Sequence, residues 1–165
     1  MALTDFEREL LINQHGILEH LDQENRDHHR RMIKVYERGY VINYSDDFDR
    51  LYREFSREES TYVMDVLEMY SDMQRAWKAE GSPDDIDEKD LLFPGFDGNN
   101  ESSQMSYAQF VVEDEGRWGD LRVRDFNSHA RTEFRYRPMV EAWKQRRRPS
   151  QHLSAEEIRA ILDTL

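Results

Sequence analysis

The stretch from Ser56 to Glu80, SREESTYVMDVLEMYSDMQRAWKAE, limits the possible folds more than any other part of the chain. Ser56 and Glu59 stand three apart and form a capping box, each satisfying the other's orphan backbone amide. Beyond this start, Val63, Val66, Tyr70, Met73 and Trp77 recur at steps of three and four, with Leu67 beside them. Tyr62, Met69 and Ala76 widen the stripe, so this helix should be nearly central. Gly81 and Pro83 stop it. A helix apolar over so much of its circumference needs other elements to cover it.

The segments that could cover it also read as helices. Thr4 is the expected N-cap of a first helix, in which Phe6, Leu10, Ile17 and Leu21 recur at helical spacing, flanked by Leu3, Leu11 and Leu18. Asp22 reads as a fresh N-cap for a second helix carrying Met32, Ile33, Tyr36 and Tyr40, which Gly39 should end in a left-handed cap. A short third helix is expected after Ser45, with Phe48, Leu51, Tyr52 and Phe55. Residues 82–100 form an acidic connector rich in turn formers. A helix over roughly 101–114 should turn Met105, Ala108 or Gln109, and Val112 inward, ending at Gly116. The stretch 117–130 is irregular, with a brief extended piece at LRVRDF. A further helix holds Phe134, Tyr136, Met139, Val140 and Trp143, and Pro138 should kink it or mark its start. The last begins at Ser154, with Glu157 as capping-box partner and Leu153 stapled onto Ile158. The fold class is all-α: a compact bundle of about six to seven helices with an irregular, loop-rich segment between the last ones. It is expected to be a single domain over 1–165, with N-terminal helices in 3–80, the connector at 82–100 and C-terminal helices in 101–165.

Charge and composition remove several functions. With 23 Lys+Arg against 35 Asp+Glu, the net charge of −12 opposes a phosphate backbone, so nucleic-acid binding is disfavoured. The local exception is KQRRRPS, where Arg146, Arg147 and Arg148 could touch phosphate but more commonly form the cationic end of a helix. There is no cysteine, which excludes disulfides, thiol catalysis and thiolate metal sites and suits the cytoplasm. The N-terminus is interrupted by Asp5, Glu7, Arg8 and Glu9, unlike a signal peptide, and no stretch approaches membrane-spanning length.

FPGFDGNNESS, residues 93–103, looks most like a ligand loop, with Asp97, Asn99 and Glu101 at alternate positions. Counted from Asp97 as a calcium loop, however, the positions that require Gly and a bidentate Glu hold Ser102 and Ala108. A turn followed by an Asn99 or Asn100 helix cap accounts for the residues better. His20, Glu24 and His28 are four apart, but the expected break at Leu21–Asp22 separates them, and Arg26, Arg30 and Arg31 disfavour a divalent cation. No HExxH, GxSxG, phosphate loop or GxGxxG occurs, so no catalytic, cofactor-binding or metal-ligating residue is assigned. On the central helix, Asp65, Glu68 and Asp72 line the polar face. A di-iron reading fails because Ser71, not His, stands three after Glu68. This stripe is expected to pair with arginines of another helix or another subunit.

Several pieces, in order along almost the whole chain, resemble the YfbU-like family of small bacterial proteins. They are NQ at 13–14, LD at 21–22, RR at 30–31, ERGY at 37–40, DVLEMY at 65–70, FPGFD at 93–97, EGRW at 115–118, FN at 126–127 and HLSAEEI at 152–158. The connector around 80–90, residues 119–125, the region before Phe134 and Pro138 are more divergent. The resemblance implies an all-helical, cytoplasmic, self-associating protein, and it brings no catalytic residues or cofactor.

The leading expectation is a non-enzymatic homo-oligomer, joined through aromatic and Met helix faces and regulatory in role, with a protein partner as a further option. The alternative is a small-molecule-binding protein or weak enzyme whose loop pocket is built from Asp97, Glu115, Arg117, Trp118 and Asn127, since binding residues concentrate on loops. The bland counterpart is that Arg117 pairs with Asp97 or Glu115 and ties two loops together. A nucleic-acid-associated regulator using Arg146–Arg148 stands third.

Overall fold

The computed structural model describes residues 2–48, 51–148 and 151–164. Among these residues the protein is all-α, with eight α-helices and only isolated bridges of extended pairing. The chain divides into two compact units, Met1–Glu54 and Phe55–Leu165.

In the N-terminal unit, α1 (Asp5–Leu21) and α2 (Arg26–Arg38) pack together as a hairpin. Thr4 caps α1 and forms a full capping box with Glu7. Asp22 is not the N-cap of α2. It follows the last residue of α1, and its carboxylate closes the turn by accepting from the backbone and side-chain amides of Asn25. At the other end, the Arg8 guanidinium donates to the carbonyls of Tyr36 and Glu37, complementing the negative end of α2. Gly39 then ends α2 at φ 68°. The α1 face toward α2 is thus half polar. Its apolar part, Leu11 and Ile12, joins Leu3 and Phe48 around a small buried set of Met32, Val35, Tyr36 and Tyr44. The stripe Phe6, Leu10, Ile17 and Leu21 lies on the opposite side of α1, 57–77% exposed. A 3₁₀ turn, Val41–Asn43, leads into α3 (Ser45–Phe48), which stops well before Phe55. Leu51 and Tyr52 are exposed rather than helical.

The C-terminal unit is built around α4 (Arg57–Ala79), which packs against every other α-helix of the unit. These are α5 (Glu88–Leu91), α6 (Ser102–Gln109), α7 (Glu133–Arg146) and α8 (Ala155–Leu162). The Ser56–Glu59 and Ser154–Glu157 capping boxes both form. Val63, Val66, Leu67, Met69, Tyr70, Met73 and Ala76 of α4 are fully buried. The expected helix over 101–114 begins at Ser102 and passes into a π-helical turn, Phe110–Asp114. It has no Asn cap: Glu101 is the N-cap residue, without a capping side-chain bond of its own. Pro138 is the sixth residue of α7 and lies inside it, while Phe134 is 72% exposed instead of packed.

Two irregular segments run side by side. Phe93 pairs with Val123 and Phe96 with Asn127 in parallel bridges, and each Phe amide and carbonyl is hydrogen-bonded to the other segment. Gln74 of α4 locks this pairing from below. Its amide donates to the carbonyls of Leu91 and Arg122 at 2.8 and 2.9 Å, and its oxygen accepts from the Arg122 amide at 2.8 Å. Gly95 is required there: it adopts φ 91°, and a Cβ would come within 2.3 Å of the Phe126 carbonyl. The Gly95 carbonyl accepts from the buried Tyr136 hydroxyl at 2.6 Å. FPGFD is therefore a packing motif, with Phe93 and Phe96 in the core.

Candidate functional site

The loop residues singled out from sequence gather in two groups. Asp97 is buried, and its carboxylate accepts from the Asn99 amide at 3.0 Å and from the Asn100 side chain. The Asn100 and Asn99 donors, with Arg131 nearby, hold its pKa below the usual carboxylate range. Asn127 meets this turn by accepting from the Gly98 amide at 3.0 Å. Glu115, Arg117 and Trp118 instead assemble over α4. Arg117 pairs with Glu115 at 4.0 Å and lies over the Trp118 ring at 4.6 Å, and the Trp118 indole donates to Glu68 at 2.6 Å. Among the described residues, no hydrogen bond or ion pair joins Asp97 to Arg117.

The acidic stripe of α4 pairs within the chain. Lys144 of α7 sits 2.8 Å from Asp65, and Arg75 2.6 Å from Asp72. Arg147 lies 3.7 Å from Glu68 and 3.8 Å from Asp72, above the Trp143 ring, whose indole donates to Asp72 at 3.0 Å. Arg146 donates back to the Ala142 carbonyl and Arg148 pairs with Glu157, so the arginine run serves α7 and α8. Pro149 and Ser150 at its end lie outside the described residues.

The partners of two buried polar groups were not read from the sequence. Glu101 is one. Its carboxylate accepts from the amides of Thr132 and Glu133, the Thr132 hydroxyl and the amide of Asp97, which fixes the start of α7 to the FPGFD turn. The other is a chain of side chains inside the N-terminal hairpin. Asp22, His29, His15 and Asp47 follow one another through contacts of 3.4, 2.9 and 2.6 Å, with His28 and the Tyr36 hydroxyl also on Asp47. His15 and His29 are buried, and the cavity beside them is lined further by Asn25, Asp46 and Leu51.

The carboxylates at the two ends of this chain of side chains are both held below their ordinary pKa. Burial pushes the Asp47 carboxyl up, but the Tyr36 hydroxyl and the rings of His15 and His28 outweigh it and hold it low. His15 Nε2 lies 2.6 Å from the Asp47 carboxylate. The two Nδ1 atoms face each other at 2.9 Å, which accommodates one N–H between them. His29 Nε2 faces the Asp22 carboxylate, whose pKa is also lowered, chiefly by the Asn25 side chain. The two rings thus lie in line between the carboxylates of Asp22 and Asp47 and tie α1 and α2 together. Among the described residues, no group of three or more His, Asp or Glu side chains is disposed to hold a metal ion.

The signal for His15 and His29 lay in the hairpin. Each is seven residues from Asp22, so two antiparallel helices turning there bring them opposite each other. Reading along one helix face, as with His20, Glu24 and His28, cannot find such a pair.

The class these features define is an all-α protein whose buried polar groups join its elements to one another. A family profile for the YfbU domain matches residues 1–164, and the chain belongs to the YfbU family. No helix among the described residues is long and apolar enough to cross a membrane.

Proposed function

We propose that this protein is a non-enzymatic, self-associating protein of the cytoplasm with a regulatory role, and that its N-terminal unit makes the contact. The observation that carries this reading is the outer face of α1, where Phe6, Leu10, Ile17 and Leu21 stand 77, 57, 61 and 74% exposed. They form one stripe, and such contiguous apolar surface marks interaction sites. Among the described residues, the unit that bears it buries only Met32, Val35, Tyr36 and Tyr44 as apolar core, little for a segment of this length. Burying one large apolar side chain contributes roughly 1.5–3 kcal/mol, so covering the stripe would strengthen the unit considerably.

Two observations weigh against the alternatives. The residues of the loop-pocket reading are engaged with one another and with α4, and Asp97 is held by its own turn. Of the arginines of the nucleic-acid reading, Arg147 and Arg148 are matched by Glu68, Asp72 and Glu157, and Arg146 donates to the Ala142 carbonyl. Sedimentation equilibrium at micromolar concentration tests the proposal. A mass that is a multiple of 19.9 kDa is expected, and a clean monomer would sink it.

A further inference from the structure

We infer that the occupant of the α1 stripe is the α1 of a second copy, running antiparallel, with a twofold axis between Asn13 and Gln14. This rests on the self-association reading above and specifies its geometry. A twofold interface uses the same patch on both copies, so the patch must be complementary to itself when turned end for end. The α1 stripe is. Phe6 and Leu21 lie equally far from the midpoint between Asn13 and Gln14, and so do Leu10 and Ile17. Turned about that point, Phe6 meets Leu21 of the other copy, Leu10 meets Ile17, and Asn13 meets Gln14.

The spacing also suits a helix pair. The steps of four, seven and four keep these side chains on a narrow stripe of a 3.6-residue helix, because seven residues close two turns to within about 20°. Chemistry at the centre agrees with the axis. Asn13 and Gln14 are exposed, and each carries an amide that both donates and accepts, so the two copies can bond reciprocally there. A polar pair at the centre of an apolar seam fixes register, since a slip would bury amides against leucine. Parallel pairing would stack Phe6 on Phe6 and Leu21 on Leu21, and would not call for a stripe symmetric about the middle of α1. An unrelated partner would not require α1 to be symmetric about its own middle.

The chain has no cysteine, so single cysteines report the pairing directly. In the antiparallel pair, Asn13→Cys sits beside the axis and should form a disulfide-linked dimer under mild oxidation. Phe6→Cys alone should not, because the two copies of residue 6 would be about 22 Å apart at 1.5 Å per residue. Mixed with Leu21→Cys it should give the cross-linked heterodimer. Cross-linking of Phe6→Cys with itself would overturn the antiparallel arrangement. Absence of all three links in a protein that sediments as a dimer would overturn this pairing and leave self-association standing. A wild-type protein that sediments as a monomer would remove both.

Discussion

Replacing Glu101 by Gln should destabilise the C-terminal unit by about 1.5–3 kcal/mol, the range for hydrogen bonds to a charged group. The carboxylate takes four donors from Asp97, Thr132 and Glu133, and an amide would turn its NH₂ toward two of them. Gly95→Ala should cost about 2 kcal/mol or more, because the added methyl meets the Phe126 backbone at a left-handed position. All three tryptophans, Trp77, Trp118 and Trp143, lie in this unit, so urea unfolding followed by tryptophan fluorescence reads both variants. A change below about 0.5 kcal/mol in either would contradict the roles given to them. In the N-terminal unit the informative variable is pH. Asp47 is held below its ordinary pKa, so the native state binds fewer protons than the unfolded chain near the carboxylate range. Its contribution is therefore complete above about pH 4, the unfolded value, and is lost as pH falls through the folded one. Asp47→Asn should unprotect the α1 and α2 amides at about pH 6, and the gap to wild type should narrow toward about pH 3. Hydrogen exchange measures it, and a gap that widens in acid would refute the assignment.

At the scale of elements, the capping boxes and the α4 stripe were legible because they are local. Ser56 with Glu59 and Ser154 with Glu157 need only a spacing of three, and α4 shows its role by the breadth of its apolar surface. The orientation of α1 was not legible, because the helix has two candidate faces. The side toward α2 carries Arg8, His15 and Glu19, whose bonds to the Tyr36 carbonyl, His29 and Arg30 replace much of the apolar contact. Hydropathy therefore points to the outer stripe as core, although it is the exposed one. The loop cluster was legible as residues but not as partners: nothing in the spacing says that Trp118 reaches Glu68, fifty residues earlier. The acidic stripe, by contrast, follows from α4 and α7 lying side by side. Reversing Glu68 and Asp72 to Lys would face them toward Arg75 and Arg147 and deprive the Trp118 and Trp143 indoles of their acceptors. The double variant should lose about 2–4 kcal/mol in urea unfolding, and an unchanged midpoint would refute the pairing.

At the scale of the molecule, the two units differ in what they leave open. The C-terminal unit encloses most of its large apolar side chains, with Phe110 and Phe134 as the exposed exceptions among the described residues. The N-terminal unit exposes the outer stripe of α1 and wraps its small core with a histidine–carboxylate chain, ion pairs and backbone caps. On the proposal made above, assembly belongs to the first 54 residues and architecture to the remainder. The most direct test compares variants of the two exposed surfaces by sedimentation equilibrium, with far-ultraviolet circular dichroism confirming unchanged helicity. Leu10→Asp with Ile17→Asp should reduce the assembly to 19.9 kDa, while Phe110→Ser with Phe134→Ser should keep the wild-type mass. An assembly that survives the α1 variant, or dissociates only with the second, would contradict the account.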